Sequence, residues 1–431
     1  MQKSVWTRRG VISLLFIMFV SLGIRSAGLP NFSFLPLDLF ESEARLKEAR
    51  SILTSLSIEE KCASLLLVAY GGSNRLTAEF ASRYQKYPVG GVLFFAYNIP
   101  PTAEALMELT GGIGRVGAEG GIVPFIAIDH EGGTVLRLKG LTTDLPDARI
   151  IGQSKASTET IRQLFRLTAR QLALLGFTMN LAPVLEPLTP ETQSFLSRRS
   201  YSVEPARCAE LGALFIQEMG EAGVLSVAKH FPGTGDGDPH ERLPKSSAKP
   251  SDPSDPYTLP FRTLQKKGIL EALMVSHVQL HREGVQEPAT LSSVILQKVL
   301  RNQWGFEGLI VTDDFRMKSL TQARDPIEGV VRSIVAGADL VMYLGGDYTN
   351  VHQALVKAVR EGRIPLQRLN ESVERILVAK IKYGLAKGTV ASTREGERAQ
   401  GQSKEDLSKR LIEFNQVKKE GDILLREVLR R

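Results

Sequence analysis

Eight short runs rich in Val, Ile, Leu and Phe punctuate the chain, at residues 65–70, 89–96, 124–129, 178–184, 224–231, 272–278, 308–314 and 338–343. Most lack the alternation of apolar and polar positions that marks a strand with one wet face. They read instead as strands buried on both sides, the pattern of a parallel sheet. Between them lie longer stretches with apolar residues at helical spacing, among them 158–175, 205–222, 293–303, 351–362 and 369–383. Repeated βα units of this number and size predict a (β/α)8 barrel of the TIM type. A doubly wound sheet is the alternative. It would carry a glycine-rich phosphate turn after its first strand, and Tyr70-Gly-Gly-Ser-Asn does not match that fingerprint.

The two ends are patterned differently. Lys3, Arg8 and Arg9 precede an apolar run over 11–24, which is short for a spanning helix but suits a signal-peptide core. Residues 1–30 are therefore read as a signal peptide or an N-terminal membrane anchor. On that reading the protein is exported, to the periplasm, the cell envelope or the medium, and meets a membrane only through this segment if it stays uncleaved. Residues 31–385 make the barrel domain, which opens with a Pro-containing leader and a charged helix around 41–56. Residues 386–431 form a linker and a charged helical tail, in which Gly421 is expected to separate two short helices packed on the barrel.

Composition narrows the function classes. An apolar fraction of 43% over 431 residues is that of a packed globule and rules out general disorder. The net charge of +7 would suit a nucleic-acid binder, but the excess lies wholly in 1–30 and 386–431, and the body between them is neutral. Nucleic acid drops out as a partner. Cys62 and Cys208 are too few for a disulfide scaffold and fall in helical stretches, where a buried thiol is the default; their pairing is left open. His130, His230, His240, His277 and His281 are scattered over different loops without ligand spacing, so no metal is expected. No phosphate-cradling loop is present, and no cofactor is expected.

Polar residues close several of the apolar runs. Asp129 ends the third, Lys229-His230 the fifth, Ser276-His277 the sixth and Asp313-Asp314 the seventh. Charged groups at the ends of buried strands are costly unless used or paired, and in a barrel the C-terminal rim is where they serve a site.

Three segments around these positions carry a resemblance: Asp129-His-Glu-Gly-Gly-Thr-Val-Leu-Arg137, Lys229-His-Phe-Pro-Gly-Thr-Gly-Asp-Gly-Asp-Pro-His240 and Val311-Thr-Asp-Asp-Phe-Arg-Met317. Together with Asn180-Leu-Ala-Pro-Val184, Arg199-Ser-Tyr201 and Pro288-Ala-Thr-Leu-Ser292, over roughly 52–385, the chain resembles family 3 glycoside hydrolases of the single-domain β-N-acetylhexosaminidase branch. The resemblance implies a retaining exo-glycosidase that removes terminal β-linked N-acetylglucosamine from cell-wall amino-sugar oligosaccharides. Asp313 matches the family's nucleophile, and Asp314 suits the cap of the following turn. His240 with Asp238 matches the branch's acid/base dyad, in which an imidazole replaces the usual second carboxylic acid.

The same resemblance places Asp129, Arg137, Arg199, Lys229 and His230 in the terminal-sugar pocket, since carboxylates and guanidinium forks suit paired hydroxyls. A structural ion pair of Arg137 or Arg199 with Asp129 or Glu131 is the competing reading. His277 is either a substrate contact or a support behind the site. The dyad segment departs from the family pattern: Asp238 and His240 stand two residues closer to Lys229 than usual, Thr234 replaces a His, and Pro239 a small residue. Asp236 is then an alternative partner for the imidazole. A sugar-binding barrel without turnover, a β-glucosidase of the same family and phosphorolysis remain open alternatives.

Overall fold

Each of the eight apolar runs forms a strand of one closed parallel barrel. The computed structural model describes residues 37–237, 242–317, 320, 325–345, 347–386 and 404–429. The strands are β1 (Leu66–Ala69), β2 (Gly91–Phe94), β3 (Phe125–Ile128), β4 (Met179–Asn180), β5 (Leu225–Ser226 and Ala228–Phe231), β6 (Ala272–Val275), β7 (Leu309–Thr312) and β8 (Val341–Tyr343). Ladders join β8 to β1 and run in order from β1 through β5, all parallel. The second part of β5 pairs with β6, and β6 with β7. Single parallel bridges, Val184 with Lys229 and Val311 with Leu340, close the remaining gaps. The doubly wound alternative is excluded, because an open sheet would leave two edges.

The hydrogen-bonded ladders are shorter than the apolar runs. The run 178–184 pairs with its neighbours only at Met179–Asn180 before Pro183, which has no N–H to donate. Past that break Leu185 N bonds Lys229 O at 2.8 Å, so this strand continues its pairing with β5 into the second part of that strand. The inner residues of β2, β3, β6 and β7 are buried along their whole lengths, as their unbroken apolar runs predict.

By contacts the chain forms two units, Met1–Ala44 and Arg45–Arg431. The first lies almost wholly outside the described residues, as does the expected signal or anchor at 1–30. In the second, helices α1 (Thr158–Leu174) and α2 (Pro205–Glu221) cover the outside of the barrel. Ser157 caps α1 by accepting from Thr160 N. The buried Glu218 of α2 accepts Arg162 at 3.0 Å and Arg166 at 2.8 Å from α1, which locks the two helices together.

The N-terminal foot of the barrel also carries buried charge, and there it is structural. Asp339, just before β8, accepts Ile310 N, Ser372 Oγ and the guanidinium groups of Arg301, Arg368 and Arg375. Lys380 is fully buried, donates to Val123 O and lies 4.7 Å from the Phe125 ring; burial lowers its pKa to about 7.

The tail differs from expectation. Residues 404–429 form one continuous helix, α3 (Lys404–Leu429), with no break at Gly421. A Cβ on Gly421 would lie 2.4 Å from Thr143 Oγ1 and 3.2 Å from Gln171 Nε2. The glycine is therefore a point of close approach and not a helix stop. Phe414, Val417 and Val428 are buried against the barrel domain, and Thr143 and Ser154 donate to the carbonyls of Lys418 and Val428. Cys62 and Cys208 are separate buried thiols, with pKa values pushed up by burial to about 12 and about 11.

Candidate active site

The site begins where β3 ends. Asp129 follows Ile128 at the C-terminal rim, and a small hairpin pairs His130–Gly132 with Val135–Leu136. Gly132 and Gly133 sit at φ 108° and 54°, which permit the reversal. The space is as restrictive as the dihedrals, since a Cβ on Gly132 would lie 2.4 Å from Pro146 O. The hairpin brings Asp129, Glu131 and Arg137 to one mouth.

From β5 comes Lys229, which is buried. Its ammonium lies 2.7 Å from Asp129 Oδ1 and 2.6 Å from Glu131 Oε1. Arg199, from the loop after β4, forks onto both oxygens of Glu131 at 2.8 and 2.7 Å and rests 4.7 Å over the Phe195 ring. Arg137 reaches Asp129 more loosely, at 4.0 Å. Burial pulls the Glu131 carboxyl upward, but the charges and hydrogen bonds of Arg199 and Lys229 outweigh it and hold it well below the usual carboxylate range. Burial likewise lowers the Lys229 and Arg199 cations, and their carboxylate partners raise both above their ordinary values. Glu131, Lys229 and Arg199 are thereby kept ionised. The ion pairs considered for Arg137 and Arg199 are present in the structure, at the same mouth where sugar contacts were expected.

His230 turns toward β4. Its Nδ1 lies 2.7 Å from Glu186 Oε1, and its Nε2 lies 3.5 Å from Arg199 Nη2. A carboxylate only accepts and a guanidinium only donates, so the hydrogen sits on Nδ1. Glu186 also accepts Thr234 N at 2.6 Å and Thr234 Oγ1 at 3.0 Å through its other oxygen. Thr234 thus anchors the start of the segment leading to Asp238 and His240.

Asp313 follows β7 at the same rim, half-buried, with its N–H bonded to Val275 O and its Oδ1 accepting Asp314 N at 2.9 Å. Asp314 caps the next turn, as its position suggested, by accepting Arg316 N and Leu344 N at 3.0 Å each. Burial raises the Asp314 carboxyl to about 6, with the neighbouring Asp313 adding to the shift. His277 is fully buried behind this pair. Its Nε2 donates to Asp314 O at 3.0 Å, so Nδ1 accepts from Thr290 Oγ1 at 2.8 Å. It supports the β7 turn from behind.

Asp238, Pro239 and His240 lie outside the described residues. The foot of their loop is fixed by Asp236, whose Oδ1 accepts Lys245 N at 2.8 Å and Arg242 at 3.1 Å. That carboxylate, the alternative partner for the imidazole, is engaged in closing the loop. Among the described residues no group of His, Cys, Asp and Glu is arranged to hold a metal.

Asp129, Arg137, Arg199, Lys229, His230 and Asp313 all lie at the C-terminal rim of the barrel. Sequence reasoning missed Glu186. The signal was available, because Val184-Leu-Glu186 closes an apolar run as Asp129 and Lys229 do. The arrangement can grip several hydroxyl or amide groups with fixed ionised partners, beside a carboxylate on a rigid strand end.

The family profile described as "Glycosyl hydrolase family 3 N terminal domain" matches residues 57–379. The chain is 30% identical over 348 residues to beta-hexosaminidase LpqI of Mycobacterium tuberculosis, covering 77% of this chain and 85% of that one. It is 30% identical over 300 residues to the beta-hexosaminidase of Pseudomonas aeruginosa, covering 69% of this chain and 87% of that one. Among solved structures, a glycoside hydrolase family 3 beta-N-acetylglucosaminidase from a Paenibacillus species superposes with a TM-score of 0.71 at 27% identity, over 84% of this chain and 69% of that one. The structure of M. tuberculosis LpqI gives 0.68 at 30% identity, over 77% and 96%.

Proposed function

The chain belongs to glycosyl hydrolase family 3, and we propose that it is a β-N-acetylhexosaminidase that releases terminal β-linked N-acetylglucosamine with retention of configuration. The single observation that carries this reading is the shared rim. Asp313, a carboxylate just past the end of β7, stands at the same C-terminal rim as the ion-paired cluster of Asp129, Glu131, Lys229 and Arg199.

In the proposed mechanism the cluster takes the hydroxyls of the terminal sugar. Buried groups that are left unpaired by a wrong ligand reject it, so the cluster also selects. Asp313 attacks the anomeric carbon as the glycosidic bond breaks, giving a glycosyl-aspartate ester. His240, oriented by Asp238, gives its proton to the departing oxygen. The then neutral imidazole takes a proton from the water that cleaves the ester, and Asp313 is restored. The chain just ahead of the dyad is held at Thr234 and at Asp236, which supports a fixed starting point for the segment that carries it.

Peptidoglycan-type amino sugars are the proposed natural substrates, with action outside the cytoplasm. The basic residues Lys3, Arg8 and Arg9 ahead of the apolar run 11–24 support export. Release of a chromogenic phenol from an N-acetyl-β-glucosaminide tests the assignment. Activity should fall by at least about a thousandfold in Asp313→Asn, in the range lost when a member of a nucleophilic constellation is removed. An Asp313→Asn enzyme as active as wild type would rule out this nucleophile.

A further inference from the structure

The register of β2 against β3 sets an aromatic residue beside the sugar-gripping cluster. Phe94 pairs with Ile128, so the residues that follow them, Phe95 and Asp129, leave the barrel side by side, about 4.8 Å apart. In-register neighbours of a parallel ladder project to the same side, and Phe95 therefore flanks Asp129. Tyr97, two residues on, lies flat against Phe95, with ring centroids 5.6 Å apart and planes 5° from parallel. Its side chain is 68% exposed.

The turn that presents this pair is built to stay in place. Asn98 is fully buried. It accepts Phe95 N at 3.1 Å and donates to Tyr70 O at 3.2 Å and Gly72 O at 2.7 Å, which ties the end of β2 to the loop after β1. A large aromatic ring held open to water on a clamped turn forfeits most of the burial that makes such rings stabilising. A flat apolar face beside a pocket of polar grips is the surface that takes the C–H face of a pyranose ring.

We infer that Phe95 and Tyr97 form a platform for the sugar ring on the leaving-group side of the bond that is cleaved. The inference rests on the glycosidase reading above and adds a second subsite to it. The terminal sugar fills the polar cluster around Asp129. Tyr97 lies beyond Phe95, toward solvent, and so meets the part of the substrate that projects from the pocket. In an exo-acting enzyme that part is the leaving group. The platform favours a second pyranose ring there over a small alkyl group.

The ratio of kcat/KM for di-N-acetylchitobiose to that for methyl N-acetyl-β-glucosaminide measures the platform directly. It should fall about tenfold in Tyr97→Ala and return in Tyr97→Phe, which keeps the ring. An unchanged ratio in Tyr97→Ala overturns the inference. Calorimetric binding of the same disaccharide to Asp313→Asn and to Asp313→Asn/Tyr97→Ala gives a readout that needs no turnover. About tenfold weaker binding by the double variant is expected, and equal binding overturns the platform. If wild type cleaves neither compound but binds the disaccharide in a Tyr97-dependent way, the hydrolase reading fails and the platform stands.

Discussion

One carboxylate oxygen of Glu186 holds both the ring and the backbone of His230, accepting Nδ1–H at 2.7 Å and the amide N–H at 3.1 Å. With the second oxygen on Thr234, Glu186 joins the end of β5 to the start of the loop that carries Asp238 and His240. It is 2% exposed, so these bonds form away from competing water.

All four groups bonded to Glu186 are donors. Glu186→Gln keeps the shape but presents an NH2 to some of them, so donors face a donor. We expect a loss of about 1–3 kcal/mol in stability, the cost of leaving buried polar groups unpaired. Urea unfolding should show a lower midpoint with an unchanged slope. A midpoint equal to wild type would mean that the loop is held by something else.

His130 predicts an acid sensitivity with a defined window. It is fully buried, neither ring nitrogen has a hydrogen-bond partner, and burial lowers its pKa to about 3. The unfolded chain takes up a proton near pH 6.5, and the folded chain does not until about 3. Stability therefore falls as pH drops through 6.5 and goes on falling until the ring is protonated in the fold. At pH 5 the loss attributable to this residue is about 2 kcal/mol. His130→Leu should recover it, narrowing the difference between urea midpoints at pH 7.5 and pH 5. Glu131, whose pKa is depressed, acts in the same direction only below about pH 4.3 and does not enter that comparison. An equal pH response in wild type and variant would refute the role of His130.

Gly421 offers a test of sign. Replacing a glycine inside a helix with alanine ordinarily stabilises by about 1 kcal/mol. Here the new methyl meets Thr143 Oγ1, which also accepts from Gln171 and donates to the Lys418 carbonyl. Gly421→Ala should therefore destabilise, by about 1 kcal/mol or more, while Glu420→Ala on the exposed face stays near neutral. Thermal unfolding of the two variants distinguishes them, and a raised Tm for Gly421→Ala would show that α3 is free to move away from α1.

The barrel was legible in the chain because strands covered on both faces need apolar side chains at every position. Unbroken runs such as Leu-Ile-Val at 309–311 follow from that physics without knowledge of the partner strands. Asp129, Lys229 and Asp313 were legible for the converse reason: a charge that ends such a run must be used or paired. What those charges pair with was not legible. Glu131, Lys229 and Arg199 are scattered along the chain and meet only when the ring closes, as β5 swings Lys229 against the β3 hairpin. Glu186 ends an apolar run as Asp129 does and so had to find partners, but that those partners would be His230 and Thr234 was decided only by the fold. Gly421 reads as a helix stop for the same reason, because its use lies in Thr143, which is distant in sequence. The sequence alone determined the repeating units and which residues had to find partners. Only the tertiary structure decided the partners, because ion pairing, close approach and register depend on distances that the fold creates.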